Sequence, residues 1–168
     1  MFSATDQFDP LVMQAFMRRP DVYWSAADAM AAPPEQVDFV SHLMSTYTWT
    51  VAAMWHRDVI GYVQFVQRTS IGAEIHVGFH PQARGKVART FTEYAIGRAF
   101  TERGLRKLWA IIPSDNRAAI WGAHAIGFHE EGRLTQAMMR GDGLRDLMIL
   151  TMEANGASLG RNTGNGAA

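Results

Sequence analysis

The sequence predicts an α/β fold with a mixed sheet. Apolar and polar residues alternate over residues 47–55, which is typical of a strand. Apolar residues recur at helical spacing over residues 84–103. This long helix lies between the apolar strands predicted at 73–79 and 107–112. Two strands on either side of one helix are expected to be parallel and joined by a right-handed crossover.

The N-terminal part of the chain predicts two helices. Asp9 followed by Pro10 is a good start for a helix over residues 11–16. The Pro-Pro pair at 33–34 is expected to start a second helix that continues to residue 44, since apolar residues follow it at helical spacing.

The remaining elements are bounded by turn residues. A turn at 56–58 joins the first strand to a second, so the two form a hairpin. Gly104 ends the long helix, and Ser114 or Asp115 is available to cap a short helix that ends at Gly127. An Asp-Gly turn at 142–143 joins the last two strands. The predicted segments are the strands 59–67, 132–139 and 144–152 and the short helix 116–126.

Length and composition limit the classes of protein. A chain of 168 residues is expected to form one domain over residues 1–155, followed by a flexible tail of small and polar residues at 156–168. The 16 basic and 16 acidic residues balance, which argues against a general nucleic-acid binder. The absence of cysteine excludes disulfides and thiolate metal sites, and no group of histidines has the spacing of a zinc site.

The location expected from the sequence is the cytoplasm. No apolar run approaches the ~20 residues that cross a bilayer. The first nine residues carry two aspartates and no basic residue, unlike a signal peptide. No membrane partner is therefore expected.

The start of the long helix is the most informative segment. Three cations, Arg84, Lys86 and Arg89, lie in or beside its first turn. Basic residues there oppose the helix dipole, but unpaired amides and positive charge suit a bound anion such as a pyrophosphate. The alternative is a solvated helix start whose arginines pair with nearby carboxylates.

Two motifs are similar to those of the GNAT superfamily of N-acetyltransferases. Residues 84–89 resemble the coenzyme A pyrophosphate loop, Gln/Arg-x-x-Gly-x-Gly/Ala: Arg84 takes the first position, and Val87 and Arg89 stand at the two glycine positions. The family's Asn-x-x-Ala…Gly-Phe-x-x-x-Gly pattern is matched by Asn116, Ala119, Gly127, Phe128 and Gly132. The C-terminal segment resembles the branch with ribosomal-protein N-terminal and spermidine acetyltransferases.

The resemblance implies a fold and a cofactor site. The fold would be a mixed, mostly antiparallel sheet of six to seven strands flanked by about four helices, with two strands splayed at the acetyl-CoA site. The backbone of Phe79 and the side chain of Asn116 would contact the pantetheine arm. The alternative role of Asn116 is a plain helix cap, which is compatible with that contact. The pyrophosphate would meet the loop residues Arg84, Gly85, Lys86, Val87, Ala88, Arg89 and Thr90.

The resemblance also implies a reaction. An amine attacks the thioester directly, which requires a base, stabilisation of the oxyanion and a proton for the thiolate. Glu74 and His76 share one face of the third strand and are candidate bases, or else ordinary solvent-facing positions. The tyrosine that many members use as acid is replaced by Ala123, so Ser114 is a candidate acid or else a helix cap.

Two functions are compatible with these observations. The first is acetyl-CoA-dependent transfer of an acetyl group to a primary amine, of a small molecule or a protein N-terminus. The second is a catalytically inactive protein of this fold that binds CoA as a sensor or acts as a structural or assembly factor. A homodimer formed through the apolar C-terminal strands is a further expectation. No metal is expected in either case.

Overall fold

Seven strands form one sheet in the computed structural model, which describes residues 2–24 and 31–154. The strands are β1 (Ser3–Thr5), β2 (Thr48–Trp55), β3 (Asp58–Gln67), β4 (Gly72–Phe79), β5 (Lys107–Pro113), β6 (His129–Arg140) and β7 (Gly143–Glu153). Their order in space is β1-β2-β3-β4-β5-β7-β6. All neighbouring pairs are antiparallel except β4 and β5, which are parallel. The predicted mixed, mostly antiparallel sheet is confirmed.

Five α-helices accompany the sheet in the described residues, one more than expected. They are α1 (Pro10–Met17), α2 (Pro20–Tyr23), α3 (Phe39–Leu43), α4 (Lys86–Glu102) and α5 (Arg117–Ala125). The local signals for α1 and α4 are confirmed: Asp9 Oδ1 accepts a hydrogen bond from Leu11 N at 2.8 Å, and Gly104 follows α4 with φ at +65°.

The prediction of one continuous helix over residues 33–44 is wrong. Pro34–Gln36 form a single 3-10 turn, and Val37 is extended with ψ at 125°. The helix starts again only at Phe39, because Asp38 Oδ1 accepts from Ser41 N at 3.1 Å and caps α3. A capping aspartate therefore interrupts the apolar period that the sequence shows.

Two elements were not predicted, and of the residues considered as caps for the short helix, Asn116 is the one observed. β1 and α2 have three and four residues, too few to show a period. The cap of α5 is Asn116, whose Oδ1 accepts from Ala119 N at 3.2 Å, and not Ser114 or Asp115. The side chain of Asp115 instead pairs with Arg140 and Arg145.

The sheet has two differently covered faces. On the α4 face, side chains of β2, β3 and β4 such as Val63 and Phe79 pack against Phe91 and Ala95 of α4. On the α1 face, Ala52 packs against α1 and α3, with Tyr62 at the edge of this smaller cluster. No helix within residues 2–24 and 31–154 is long and apolar enough to cross a membrane. The predicted tail at 156–168 lies outside the described residues.

Strands β4 and β5 separate along their length. They pair only at Gly72–Lys107, Ala73–Leu108 and Glu74–Trp109, although β4 continues to Phe79 and β5 to Pro113. We call this opening, from Glu74 and Trp109 outward, the β4–β5 gap. The predicted splaying of these two strands is confirmed, and the gap opens toward the start of α4.

Candidate functional site

The β4 edge of the gap presents backbone groups that β5 does not pair with. His80 N donates to Ile60 O of β3 at 2.9 Å, so the groups of His80 are turned away from the gap. Because successive residues of a strand turn their N–H and C=O groups to opposite edges, those of Val77 and Phe79 are turned toward it. Val77 is 47% exposed, which is explained by the divergence of the neighbouring strand. An extended ligand in the gap would find backbone donors and acceptors along β4.

The wide end of the gap, between the ends of β4 and β5, lies at the N-terminus of α4. We call this end the mouth. Gly85 precedes the helix with φ at +81°, a conformation that favours glycine. The first helical bond joins Arg89 N to Gly85 O at 3.0 Å. The amides of Lys86, Val87 and Ala88 precede that bond and have no acceptor inside the helix.

The three cations at this helix start have different partners. Arg84 donates to Phe79 O at 3.3 Å and to Asp21 O at 2.7 Å, so it ties α2 to the end of β4. Arg89 pairs with Glu93 at 3.0 Å, as the alternative interpretation of the motif expects. For Lys86, no ion pair or hydrogen bond of the ammonium occurs within the described residues.

The other loop positions are divided between core and solvent. Val87 and Ala88 are partly buried and pack against the core, so the side chain of Val87 is not directed wholly outward. Thr90 is exposed on the first turn and a half of α4. The replacement of glycine by Val87 is thus accommodated in a regular helix.

Glu74 and His76 lie together where the gap begins. Both are on the α1 face, as alternation predicts, and Glu74 Oε1 is 3.5 Å from His76 Nε2. The second carboxylate oxygen is 3.0 Å from Arg68, and the Glu74 side chain is only 16% exposed. Burial lowers the pKa of the His76 imidazole, with Glu74 opposing and His42 and Arg68 adding to the shift. His76 is therefore held neutral near pH 7.

His80 does not join this pair. It follows the end of β4, and its Nδ1 accepts from Gln82 N at 3.3 Å. The alternation that places Glu74 and His76 on one face stops at this turn.

A buried polar group beside His76 was missed by the sequence analysis. Gln64, opposite His76 in the register, is 2% exposed. Its Nε2 donates to Thr50 Oγ1 at 2.9 Å, and its Oε1 lies 2.9 Å from His42 Nε2. Since Oε1 only accepts, His42 Nε2 carries the proton. A glutamine in the middle of the apolar strand 59–67 was the available signal.

Ser114 lies at the far end of the gap. It follows Trp109, the residue paired with Glu74, by five positions. Five strand residues span about 16 Å, so Ser114 is at the mouth and not beside Glu74 and His76. The fold does not bring the three predicted catalytic residues together.

The two arms of the mouth are linked through α2. On the β5 arm, Asp115 holds Arg140 at 3.0 Å, and Arg140 Nη2 reaches Trp24 O at 3.4 Å. On the β4 arm, Arg84 holds Asp21 O. Asp21 belongs to α2 and Trp24 directly follows it, so this short helix borders the opening.

One group of side chains in the described residues has the composition of a metal site. His129, Glu131 and Glu153 place their ligand atoms within 4.8 Å of one another, and all three are exposed. The Lys107 ammonium lies against Glu131 and is 3.3 Å from Glu153. The hydrogen bond to Glu131 raises the pKa of Lys107, so this cluster already holds a cation of its own.

The comparisons with known proteins define the class. The family model of the acetyltransferase (GNAT) domain matches residues 3–129. The chain therefore belongs to the GNAT acetyltransferase family, and the resemblance inferred from the two motifs is confirmed. A search of curated protein sequences finds no significant match.

Solved structures show the same fold at low identity. An acetyltransferase described as putative, yncA from Salmonella typhimurium with acetyl-CoA, is 18% identical, with a TM-score of 0.76 and coverage of 96% of this chain and 99% of that one. Spermidine N-acetyltransferase from Vibrio cholerae, in complex with CoA and spermine, is 18% identical, with a TM-score of 0.70 and coverage of 90% and 95%. A GNAT acetyltransferase from Streptococcus pneumoniae is 17% identical, with a TM-score of 0.75 and coverage of 92% and 100%.

Proposed function

We propose that this protein transfers the acetyl group of acetyl-CoA to a primary amine, by direct attack of the amine within a ternary complex. The β4–β5 gap carries this proposal. It combines an unpaired strand edge with the N-terminal amides of a long helix at its mouth. The amine belongs to a small molecule or to a protein N-terminus. Two structures of the same fold hold CoA or acetyl-CoA, which supports a CoA compound as the ligand.

Acetyl-CoA would lie along β4. Its pantetheine arm would pair with the backbone of Val77 and Phe79, and Asn116 would face it from α5. The pyrophosphate would meet the first amides of α4, with Lys86 as the cation that has no partner in the described chain. Arg84 holds the loop in place through backbone carbonyls, so its contribution to phosphate binding is positional.

His76 is the residue that we assign as the base. An imidazole held neutral near pH 7 can accept a proton from the incoming ammonium, directly or through water. Glu74 faces its Nε2, which leaves the lone pair on Nδ1 available. Glu74 is already paired with Arg68 at 3.0 Å, so we assign the base role to the imidazole.

Calorimetric titration tests the cofactor part of the proposal. Acetyl-CoA and CoA are expected to bind in the micromolar range, and ATP is expected to bind much more weakly. Lys86→Glu should weaken CoA binding about tenfold, which is about 1.4 kcal/mol. Arg106→Glu is the matched control, because Arg106 is exposed beyond the other end of α4. Equal CoA affinities of the two variants would show that Lys86 does not contribute to CoA binding.

An acetylation assay with a panel of amines tests the reaction. Turnover is expected to fall as the pH drops below the depressed pKa of His76, because the protonated ring cannot accept a proton. His76→Gln should lose that acidic limb together with about a hundredfold or more of kcat. Tight CoA binding without transfer to any amine would favour the inactive, CoA-binding alternative. Absence of CoA binding would contradict both and would favour the remaining alternative, a structural or assembly factor.

A further inference from the structure

The proposed reaction needs a proton donor, and the α5 position at which the family resemblance implies the acid is Ala123. As the carbon–sulfur bond of the thioester breaks, the thiolate must be protonated. The side chains by which α5 packs against the core are the apolar Ala119, Ile120 and Ala123. Ser114 lies at the mouth, at the level of the last residues of β4.

Tyr62 of β3 places its hydroxyl over β4, the strand that borders the gap. It lies opposite Gly78 in the β3–β4 register, on the α1 face. Its ring lies across β4 because Gly78 has no side chain. A Cβ atom at Gly78 would be 2.4 Å from Tyr62 Cε1 and 3.0 Å from its hydroxyl oxygen. The hydroxyl is therefore placed over the β4 backbone at Gly78.

This part of β4 borders the gap. Gly78 is four residues, about 13 Å, beyond Glu74, the last residue paired with β5. Val77 and Phe79 on either side turn their backbone groups to the gap. His76, the assigned base, is the next residue of β4 on the same face, about 7 Å away along the strand.

The hydroxyl is available to a ligand. Within the described residues it has no hydrogen-bond partner. Every fully buried side-chain polar atom in the described residues has a partner, so the unpaired hydroxyl oxygen keeps some solvent-accessible area although the Tyr62 side chain is partly buried. The ring is held by an edge contact with Phe16, at a centroid distance of 6.3 Å. Burial raises the pKa of Tyr62 to about 12, so the hydroxyl keeps its proton at neutral pH.

We infer that the Tyr62 hydroxyl is a catalytic group that donates to the departing sulfur of CoA. This inference rests on the proposed acetyltransfer. The amine nitrogen, after one proton has passed to His76, bonds to the carbonyl carbon. The carbon–sulfur bond breaks, and the sulfur leaves with the electron pair and takes the Tyr62 proton. The nitrogen loses its extra proton, which restores Tyr62, and one proton per turnover passes from His76 to water.

The test removes only the hydroxyl. Tyr62→Phe keeps the ring over Gly78 and against Phe16. It should leave acetyl-CoA affinity within about twofold and lower kcat about a hundredfold or more. Tyr94→Phe is the matched control, since Tyr94 is 49% exposed on α4, and it should keep wild-type kcat. A kcat of Tyr62→Phe within threefold of the wild type would overturn the inference, as would a loss confined to affinity.

A second readout does not depend on turnover. A hydroxyl that donates to sulfur stabilises the thiolate of bound CoA and lowers its pKa. Ultraviolet thiolate absorbance, with desulfo-CoA as the blank, should show the pKa of the bound thiol about one unit higher in Tyr62→Phe than in the wild type. Equal thiol pKa values would overturn the role of Tyr62 even in an active enzyme. Failure of CoA to bind the wild type would instead contradict the proposed function.

Discussion

Gly61 and Phe79 form a close contact that predicts the effect of adding one methyl group. Gly61 lies opposite Phe79 in the β3–β4 register, on the α4 face. A Cβ atom at Gly61 would be 2.1 Å from Phe79 Cδ1 and 2.4 Å from Cε1, inside the volume of the ring. The Phe79 ring is 5% exposed and contacts Phe91, which is fully buried. Gly61→Ala therefore requires the ring to move within a packed core.

The size of the effect follows from that packing. Forcing one methyl group into a filled core costs about 1–3 kcal/mol of the free energy of unfolding. Phe79→Ala removes the ring and costs about 3–5 kcal/mol. In the double variant the methyl of Ala at position 61 enters space that the ring has left, so the first cost disappears. The double variant should thus be at least about 1 kcal/mol more stable than the sum of the two losses.

Urea unfolding followed by tryptophan fluorescence measures all four members of this cycle. The matched control is Gly97→Ala in α4, where a Cβ would have no neighbour within 4 Å. Alanine is the better helix former, so this change should stabilise the protein by about 0.5–1 kcal/mol. The steric argument would be refuted if the free energy of unfolding lost in the double variant equalled the sum of the two single losses within about 0.5 kcal/mol. Destabilisation by Gly97→Ala would show that the effect is not specific to the ring.

Two further predictions concern the loop before α4 and the N-terminal segment. Gly85→Ala places a side chain at a φ of +81°, so it should cost about 1–2 kcal/mol in the same urea assay, and an unchanged midpoint would contradict this. Asp6 accepts from Trp49 Nε1 at 3.3 Å and is 3.2 Å from Arg98. Although burial opposes it, the hydrogen bond from Trp49, with the Arg98 charge, lowers the pKa of Asp6 below its usual 3.8. The ionised Asp6 carboxylate therefore stabilises the folded protein above pH 3.8, and this stabilisation is lost as the pH falls through the lowered pKa. Asp6→Asn should be less stable than the wild type at pH 7 and equally stable in strong acid; a difference that persists there would contradict the charge as its cause.

Most elements of the fold could be predicted because their signals are local. The period of two in β2 to β4, the Asp9 cap and Gly104 each act within a few residues. The order of these elements then implied the parallel pair β4 and β5. Where local signals were mixed, prediction failed: Asp38 caps a new helix inside a segment whose apolar spacing looks continuous.

The site was predicted less completely because it depends on partners that are distant in the chain. The sequence identified the cations at the start of α4. It did not show that Arg84 donates to Asp21 O, 63 positions earlier in the chain, or that Arg89 pairs with Glu93. It placed Glu74 and His76 on one face, but not the neutralising Arg68 or the distance of Ser114 from both. Charge and alternation are visible in a sequence; the choice among several possible partners is not.

The sequence by itself indicated the family, the order of the longer strands and helices and the position of the helix start that faces the gap. The tertiary structure decided which groups share the gap. Tyr62 and Gly78 are 16 positions apart and meet only because the β3–β4 register sets them opposite each other. A shift of one residue would turn the tyrosine to the other face of the sheet. Register is settled by the packing of both faces at once, and this is why the placement of that hydroxyl belongs to the folded chain.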